Sequence, residues 1–202
     1  ILARLDHPNV VRVWDYEDAV PRPFLVLEYV DGPDLAVALK RQGPLAVDVA
    51  LRIVTQIAGA LAAGLRLGIV HRDVKPANLL LAAGGSAKLA DLGLATFVHR
   101  GANPGGGTPA YMAPEQSAGA SADHRADIYA LGATLYHLIC GHVPFAAASR
   151  PEMIRRHLID PLTFPVEMPP DVAAVIRRMM AKTPAERFAS YEELQRDFTQ
   201  LT

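Results

Sequence analysis

Three short polar clusters stand out in this sequence because their residue types can do chemistry. They are His71-Arg72-Asp73-Val74-Lys75-Pro76-Ala77-Asn78, then Asp91-Leu92-Gly93, then Ala113-Pro114-Glu115. An aspartate can accept a proton, and carboxylate and amide oxygens are hard ligands of the kind that Mg²⁺ prefers. Each triplet is a weak signal alone, whereas the first cluster fits the pattern H-R-D-x-K-x-x-N at five defined positions and is a strong one.

The sequence around these clusters predicts the elements that must position them. The runs Val10–Trp14 and Phe24–Val30 are rich in β-branched and aromatic residues, which predicts a hairpin. Apolar residues recur at helical spacing from Val47 to Leu67, which predicts one long helix. Small strands are expected at 79–81 and 88–90, a short helix from a cap at 34 to 41, and further helices over 123–140, 151–158, 171–181 and 190–200. Strands come first and helices dominate later, so we expect a mostly helical domain with a small β edge.

Composition excludes several classes of protein. Half of the 202 residues are hydrophobic and a fifth are charged, which excludes a disordered chain. The formal net charge of −1 gives no overall basic field for binding nucleic acid. The single cysteine, Cys140, excludes an intramolecular disulfide and fits a reducing compartment. We therefore expect a cytoplasmic location, with membrane attachment of the parent protein left open.

Two other segments come close to known ligand-binding motifs but do not match them. The segment from Gly101 to Thr108 has the spacing of a Walker A loop, but Gly107 stands where the phosphate-binding lysine is required. His137, Cys140 and His142 lie close together in sequence but do not match a zinc signature. Neither segment therefore predicts a phosphate loop or a zinc site.

The three clusters, in this order, resemble the C-terminal lobe of a eukaryotic-like Ser/Thr protein kinase of the kind found in bacteria. The resemblance covers essentially the whole chain. It includes His7-Pro8-Asn9, Glu28-Tyr29-Val30, Gly107–Glu115, Asp127–Gly132, Gly141–Phe145 and Arg187. It implies an α+β, protein-kinase-like fold. Residues 1–30 would be a remnant of the small β lobe (the end of the regulatory helix, two strands and the hinge), and residues 31–202 would form the mainly helical lobe.

The resemblance also implies roles in catalysis. Asp73 would accept or orient the proton of the attacking hydroxyl, and Lys75 would meet the γ-phosphate of ATP. Asn78 and Asp91 would bind Mg²⁺. Thr108 is expected to hydrogen-bond to Asp73 and Lys75 and so to shape the substrate site. Lysine rather than arginine in this loop is typical of kinases that act on serine and threonine.

On the nucleotide side, the resemblance implies four further contacts. Backbone groups of Glu28 and Val30 would pair with the adenine edge, and Leu80 would form part of the apolar floor under the base. Asp34 would reach the ribose hydroxyls, although a role as a helix N-cap explains that residue equally well. ATP and Mg²⁺ are thus the expected cofactors.

Other matched residues are expected to be structural. His71 should be a packed, hydrogen-bonded core histidine, in a hydrophobic spine with Leu2, Val13 and Leu92 that is anchored by Asp127. Glu115 and Arg187 should form an ion pair between the substrate loop and the last helices. Between residues 92 and 114 the hydroxyls are only Thr96, Thr108 and Tyr111, so Arg72 is not expected to pair with a phosphate in the middle of that loop.

One departure from the family pattern keeps alternatives open. The glycine-rich loop, the strand lysine and the helix glutamate that hold ATP in this family are not in these residues. We therefore expect the chain alone to bind ATP weakly and transfer little phosphate. The leading interpretation is part of a Ser/Thr kinase that acts on proteins, with its oligomeric state open. The alternatives are a non-catalytic, pseudokinase-like interaction module and a kinase-like enzyme acting on small molecules, which Ala113-Pro114-Glu115 disfavours.

Overall fold

The computed structural model describes residues 5–18, 24–91, 96–97, 107–165 and 167–201. Within them the α-helices are α1 (Leu35–Gln42), α2 (Val47–Arg66), α3 (Pro114–Ser117), α4 (Arg125–Cys140), α5 (Arg150–Ile159), α6 (Pro170–Met179) and α7 (Tyr191–Leu201). The strands are β1 (Val13–Glu17), β2 (Phe24–Leu27), β3 (Ile69–Val70), β4 (Leu79–Leu81), β5 (Ala87–Leu89) and β6 (Thr96–Phe97). They form three antiparallel pairs, β1 with β2, β3 with β6 and β4 with β5. This mixture of helices and small sheets confirms the predicted α+β class.

The helices lie close to their predicted bounds because the signals that start and stop them are local. The Asp34 carboxylate caps α1 by accepting a hydrogen bond of 2.9 Å from the Val37 amide. Gly43 ends the helix with a φ of 80°, a conformation that glycine adopts without strain. In the same way Gly141 ends α4 in the left-handed region, with a φ of 78°.

The core of the molecule lies between four helices. α2 packs against α4 and α7, and α6 packs against α4 and α7. Gly132 lets α6 approach α4 closely, since a Cβ atom at this position would lie 2.8 Å from Cβ of Met179. By length and composition α2 is the one helix within the described residues that could cross a membrane, and 61% of its most apolar window is buried inside the fold.

The first strand begins later than predicted. Val10 is buried in an isolated parallel bridge with Leu89, and the amide of Val11 donates to the carbonyl of Leu89 at 2.9 Å. These residues therefore join the β4–β5 hairpin, and β1 starts only at Val13. β2 likewise ends at Leu27, so the residues predicted to form the hinge, from Glu28 to Val30, lie outside the strand.

The β1–β2 hairpin exposes its large side chains. Trp14, Tyr16 and all four residues of β2 are exposed. Asn9, which precedes the hairpin in the chain, connects that segment to the helical part of the molecule. Its Nδ2 donates to Oε1 of Gln56 at 2.9 Å and to the carbonyl of Ala87 at 2.8 Å. The segment 71–78, which carries the first polar cluster, runs between β3 and β4.

Candidate active site

A buried carboxylate from α4 holds the start of the segment 71–78. Asp127, in the first turn of α4, accepts hydrogen bonds from the amides of His71 at 2.8 Å and Arg72 at 2.7 Å. Arg72 has a φ of 69°, a left-handed conformation that is uncommon for a residue other than glycine. Burial raises the pKa of Asp127, although both amides and His71 act against it. The two hydrogen bonds fix the backbone just before Asp73.

His71 is a packed core histidine, as predicted. Its Nδ1 accepts from the amide of Asp73 at 3.3 Å, so the ring proton belongs on Nε2. That nitrogen lies 3.1 Å from the carbonyl of Ala90, to which it donates. The ring thus links the first polar cluster to the residue that precedes Asp91. The predicted spine partners Leu2 and Leu92 lie outside the described residues.

The Asp73 carboxylate is the centre of the site, and both of its oxygens are engaged. Oδ2 lies 2.5 Å from Nζ of Lys75. Oδ1 accepts from both the amide and the hydroxyl of Thr108, each at 2.9 Å. Nζ of Lys75 also donates to the Thr108 hydroxyl at 2.7 Å. The predicted hydrogen bonds of Thr108 to Asp73 and Lys75 are therefore confirmed.

The surroundings keep Asp73 ionised. Burial acts to raise the pKa of this carboxyl, but the hydrogen bonds from Lys75 and Thr108 and the charge of Lys75 outweigh it, and the pKa is lowered. Only 7% of the side chain is exposed. The ionised, oriented carboxylate can receive a proton, and the lysine beside it can stabilise negative charge at the same place.

Asn78 stands on the other side of Asp73. Its Nδ2 donates to the backbone carbonyl of Asp73 at 2.8 Å and to Oδ2 at 3.3 Å. The backbone carbonyl of Asn78 accepts from the amide of Ala90 at 2.8 Å, which brings the residue before Asp91 next to Asn78 in space. Asp91 is exposed and has a φ of 58°. The asparagine nitrogen orients Asp73, so the amide oxygen is the atom that is left for a cation.

The segment predicted to lie on the substrate side of the site forms a short turn after Thr108. Gly107 reaches it with a φ of 114°, and a Cβ there would lie 3.2 Å from the carbonyl of Arg72. A 3₁₀ turn at Pro109–Tyr111 follows. The hydroxyl of Tyr111 lies 2.7 Å from Nδ1 of His137, in α4, and burial raises the pKa of this tyrosine. The turn is thereby fixed to α4 immediately beyond the residue that contacts Asp73.

A buried ion pair holds the end of this segment. Nη1 and Nη2 of Arg187 donate to the two carboxylate oxygens of Glu115 at 2.7 and 2.8 Å. The Arg187 side chain is fully buried, and its remaining donors reach the carbonyls of Ala181, Arg125 and Lys182. The guanidinium also lies over the ring of Tyr129. The predicted Glu115–Arg187 pair is confirmed, and every donor of the arginine has a partner.

The residues expected to contact a nucleotide line one edge of the β4–β5 hairpin. The carboxylate of Glu28 lies 2.8 Å from Nζ of Lys88 and accepts from the amide of Arg12 at 3.1 Å. Lys88 is paired with Leu80 in the strand register, and Asp34 forms an isolated bridge with Leu80. One chain of contacts thus joins Glu28, Leu80 and Asp34.

The backbone after Val30 lies directly against β4. The carbonyl of Val30 accepts from the amide of Gly32 at 3.0 Å. A Cβ atom on Gly32 would lie 1.9 Å from the carbonyl oxygen of Leu81, so only glycine fits here. The carbonyl of Pro33 then accepts from the amide of Leu81 at 3.0 Å.

Comparison with known proteins supports the resemblance to protein kinases. The family model for the protein kinase domain matches residues 1–199. The chain belongs to the protein kinase family. It is 40% identical over 204 residues to serine/threonine-protein kinase PknD of Mycobacterium tuberculosis, a match that covers 95% of this chain and 30% of that protein. It is 39% identical over 202 residues to PknH of Mycobacterium bovis, covering 96% and 34%, and 39% identical over 206 residues to PkaA of Streptomyces coelicolor, covering 97% and 37%.

The kinase chain spans about a third of the length of these curated relatives. Eight of its nine predicted site residues fall into two groups, and the ninth, Asp91, follows Ala90, whose amide donates to the carbonyl of Asn78. Asp73, Lys75, Asn78 and Thr108 are brought together by direct hydrogen bonds. Glu28, Val30, Asp34 and Leu80 line the neighbouring edge, where the Asp34 carboxylate serves as a helix cap. Its contact with ribose remains a prediction, as do the other nucleotide and Mg²⁺ contacts.

Arg72 behaves differently from the other polar residues of the kinase's first cluster. Its Nη2 donates to the carbonyl of Ala122 at 3.4 Å, and its buried Nε has no hydrogen-bond partner among the described residues. Most of the loop between residues 92 and 106 lies outside the described ranges. The expectation that Arg72 finds no phosphate partner in that loop therefore stays a prediction.

Sequence reasoning missed three pairs in this kinase: Lys88 with Glu28, Tyr111 with His137, and Tyr129 with His157. Each joins residues that are distant in sequence, and none matches a motif by itself. The only local signal for Lys88 was its place in a strand opposite Leu80. No group of three or more histidine, cysteine, aspartate or glutamate side chains able to hold a metal ion occurs in the part of the chain that the structure describes.

Proposed function

We propose that this chain transfers the γ-phosphate of ATP to serine and threonine hydroxyls of proteins, as part of a longer Ser/Thr protein kinase. The observation that carries the proposal is the Asp73 carboxylate, which is ionised, nearly buried and hydrogen-bonded to Lys75 and Thr108. The intact set of polar contacts around it favours catalysis over a purely structural role. A binding module would gain nothing from burying this carboxylate and lysine together.

The proposed role of Asp73 follows from its geometry. Phosphoryl transfer passes through a loose transition state, so positioning and neutralisation of charge supply most of the catalysis. A substrate hydroxyl that replaces one of the Thr108 contacts would donate its hydrogen bond to the Asp73 carboxylate. The proton can then pass to Asp73 as the hydroxyl oxygen attacks the γ-phosphorus, while the bond from that phosphorus to the β,γ-bridging oxygen breaks and ADP leaves. Lys75, already bound to the same carboxylate, would place a positive charge beside the transferred group.

The residues present fit a Mg–ATP complex. Asn78 and Asp91 offer one neutral and one charged oxygen ligand, and they are held together by the hydrogen bond between the carbonyl of Asn78 and the amide of Ala90. When bound, Mg²⁺ would neutralise charge on the phosphates. The protein's own part is to hold Asn78 Nδ2 on Asp73, so that the cation site and the proton acceptor keep a fixed separation.

The proposal is tested on the natural protein that contains this chain, with radioactive ATP and a general protein substrate. Asp73→Asn should lower the rate of phosphate transfer by about 100-fold or more, as expected for removal of a positioned acid–base group. Asp91→Asn should lower it too, and added Mg²⁺ should partly restore it. Asp48→Asn is a matched control, because Asp48 is exposed and its side chain, among the described residues, pairs only with Arg52 on the same helix.

The identity of the phosphorylated residues completes the test. We expect phosphoserine and phosphothreonine after acid hydrolysis of the product, and no phosphotyrosine. Transfer that is unchanged in Asp73→Asn would overturn the proposed mechanism. A natural protein that folds and shows no transfer at all would favour the non-catalytic interaction module.

A further inference from the structure

The segment 28–34 is anchored to the β4–β5 hairpin at both of its ends. At its far end, the amide of Leu81 donates to the carbonyl of Pro33 at 3.0 Å, a contact between main-chain groups. The anchor at its near end is different, because it is an ion pair between two side chains, those of Glu28 and Lys88. The near anchor can therefore be removed by substitution without changing the main chain.

The ion pair is close and largely enclosed. Nζ of Lys88 lies 2.8 Å from Oε1 of Glu28 and donates to Oε2 at 3.1 Å. Only 18% of the lysine side chain and 26% of the glutamate side chain are exposed. Partly buried charges are screened less by salt and solvent than fully exposed ones. The contact can thus fix the position of one residue against the other.

Glu28 is also fixed through main-chain groups. Its amide donates to the carbonyl of Arg12 at 2.8 Å, and its Oε2 accepts from the amide of the same arginine at 3.1 Å. One residue earlier, the amide of Val11 donates to the carbonyl of Leu89 in β5 at 2.9 Å. Glu28 is therefore connected to β5 by two routes, one through these main-chain bonds and one directly through the side chain of Lys88.

Lys88 lies on the base side of the proposed nucleotide site. It stands opposite Leu80 in the register of β4 and β5, and residues that face each other in an antiparallel pair have their side chains on the same face. Leu80 is the predicted floor under the adenine base, and the backbone of Glu28 is the predicted partner of the adenine edge. Lys88 is thus the strand neighbour of one of these groups and the ion-pair partner of the other.

We propose that Lys88 is a positioning residue for the adenine base, because its ion pair with Glu28 keeps the segment 28–34 at a fixed distance from Leu80. The inference rests on the proposed function, since it assigns a role at the nucleotide site of that enzyme. Without the lysine charge, the Glu28 carboxylate keeps its bond to the Arg12 amide but loses its direct connection to β5. The segment can then move away from the floor of the site.

Binding measurements on the natural protein that contains this chain test the effect on the base. The probes are Mg–ADP and adenosine, which share the base but differ in the phosphates, and binding is followed by calorimetry. In Lys88→Met both dissociation constants should rise by about 3- to 10-fold, as for the loss of one partly buried charged contact. Lys88→Arg keeps the charge and should restore most of the affinity. Lys40→Met is the matched control, because Lys40 is an exposed lysine in the last turn of α1, and it should bind both probes like the wild type.

A double-mutant cycle assigns the effect to the pair. Glu28→Gln should weaken binding of both probes by a similar factor, and the double variant Glu28→Gln, Lys88→Met should bind no more weakly than either single variant. In all three variants kcat and KM for a peptide substrate should stay within about twofold of the wild type, because the pair acts on the nucleotide. Losses that multiply in the double variant, or a loss for Mg–ADP without one for adenosine, would overturn the proposal.

Amide hydrogen exchange reports on the segment itself. Exchange at residues 28–32 should be about 3- to 10-fold faster in Lys88→Met than in the wild type, and unchanged in Lys40→Met. Unchanged exchange in Lys88→Met would show that the pair does not hold the segment. A wild type and a Lys88→Met variant that bind both probes equally well would overturn this inference and leave the proposed function standing. A wild type that binds neither probe would overturn the proposed function, and the role for the base with it.

Discussion

The carboxylate of Glu115 and the guanidinium of Arg187 form a two-pronged ion pair, 2.7 and 2.8 Å long, across which α3 and the segment before α7 are joined. Arg187 is fully buried. Removing one member of such a pair leaves the other charge buried and unpaired. This lowers the free energy of unfolding far more than removing both charges does. The pair therefore links α3, which follows the Thr108 turn, to the region just before α7.

Arg187→Met should lower the free energy of unfolding by about 3 to 5 kcal/mol, because it leaves the Glu115 carboxylate without a partner. The double variant Glu115→Gln, Arg187→Met should recover part of that loss. The measurement is urea unfolding followed by far-ultraviolet circular dichroism. A double variant no more stable than the single one would show that the buried charge of Glu115 is not the cause.

Thr108 offers a test of how the site is packed around Asp73. Thr108→Val removes the hydroxyl that bonds to Asp73 and Lys75 but keeps the shape and the backbone amide. We expect kcat/KM of the natural protein for a peptide to fall by about 10-fold, the equivalent of one buried hydrogen bond to a charged group. Thr108→Ser keeps the hydroxyl and should stay near wild type. An equal loss of kcat/KM in both variants would show that the missing hydroxyl is not the cause, because Thr108→Ser keeps it.

Stability should fall as the pH is lowered through the range in which free histidine titrates. Burial, followed by the charge of Lys182, lowers the pKa of His157 from 6.5 to about 4. Between these values the unfolded chain takes up a proton that the folded chain does not, so the folded state loses about 3 kcal/mol as the pH drops from 6.5 to 4. Above pH 6.5 the contribution of His157 does not change with pH.

The measurement is the difference in unfolding free energy between wild type and His157→Phe at pH 7 and at pH 4.5. Taking this difference matters because burial also lowers the pKa of His7 and His137, which act in the same direction. The lowered pKa of Asp73 acts in the same sense but in a lower pH range: its stabilising contribution is lost as the pH falls from the ordinary aspartate pKa toward the lowered one. A pH slope that is identical in both proteins would contradict the prediction.

Two glycines in core helices should respond to alanine with opposite signs. At Gly132 in α4 a Cβ atom would lie 2.8 Å from Cβ of Met179, so Gly132→Ala should destabilise the fold by about 1 to 3 kcal/mol. At Gly64 in α2 the nearest atom would lie at 3.7 Å, an ordinary contact. Gly64→Ala should therefore stabilise by about 0.5 to 1 kcal/mol through helix propensity. Thermal unfolding of both variants checks the two signs together.

The predictions that succeeded rested on local signals or on one strong motif. The apolar spacing of α2 predicted its bounds, and Asp34 and Gly43 marked the ends of α1. The H-R-D-x-K-x-x-N pattern predicted that Asp73, Lys75 and Asn78 lie together. In each case the information lies within a few residues, where periodicity, capping and chain geometry act.

The features that were missed depend on long-range contacts. The start of β1 was wrong because Val10 pairs with Leu89 and leaves the hairpin, which no local pattern records. The pairing of β3 with β6 rests on two residues in each strand, too few for a pattern. His157 has no motif, and its burial becomes visible only once α4, α5 and the turn after Thr108 are packed together.

The position of Trp14 determines what an optical experiment can report. It is the only tryptophan in the chain, it is 58% exposed on the β1–β2 hairpin, and the guanidinium of Arg12 lies 4.7 Å from the centre of its ring. The buried aromatic rings of the core within the described residues belong to Tyr129, Tyr136, Tyr191, Phe145, Phe188 and Phe198. Indole emission will therefore register events at the hairpin, such as its coverage by another surface. Melting of the helices will leave that emission nearly unchanged.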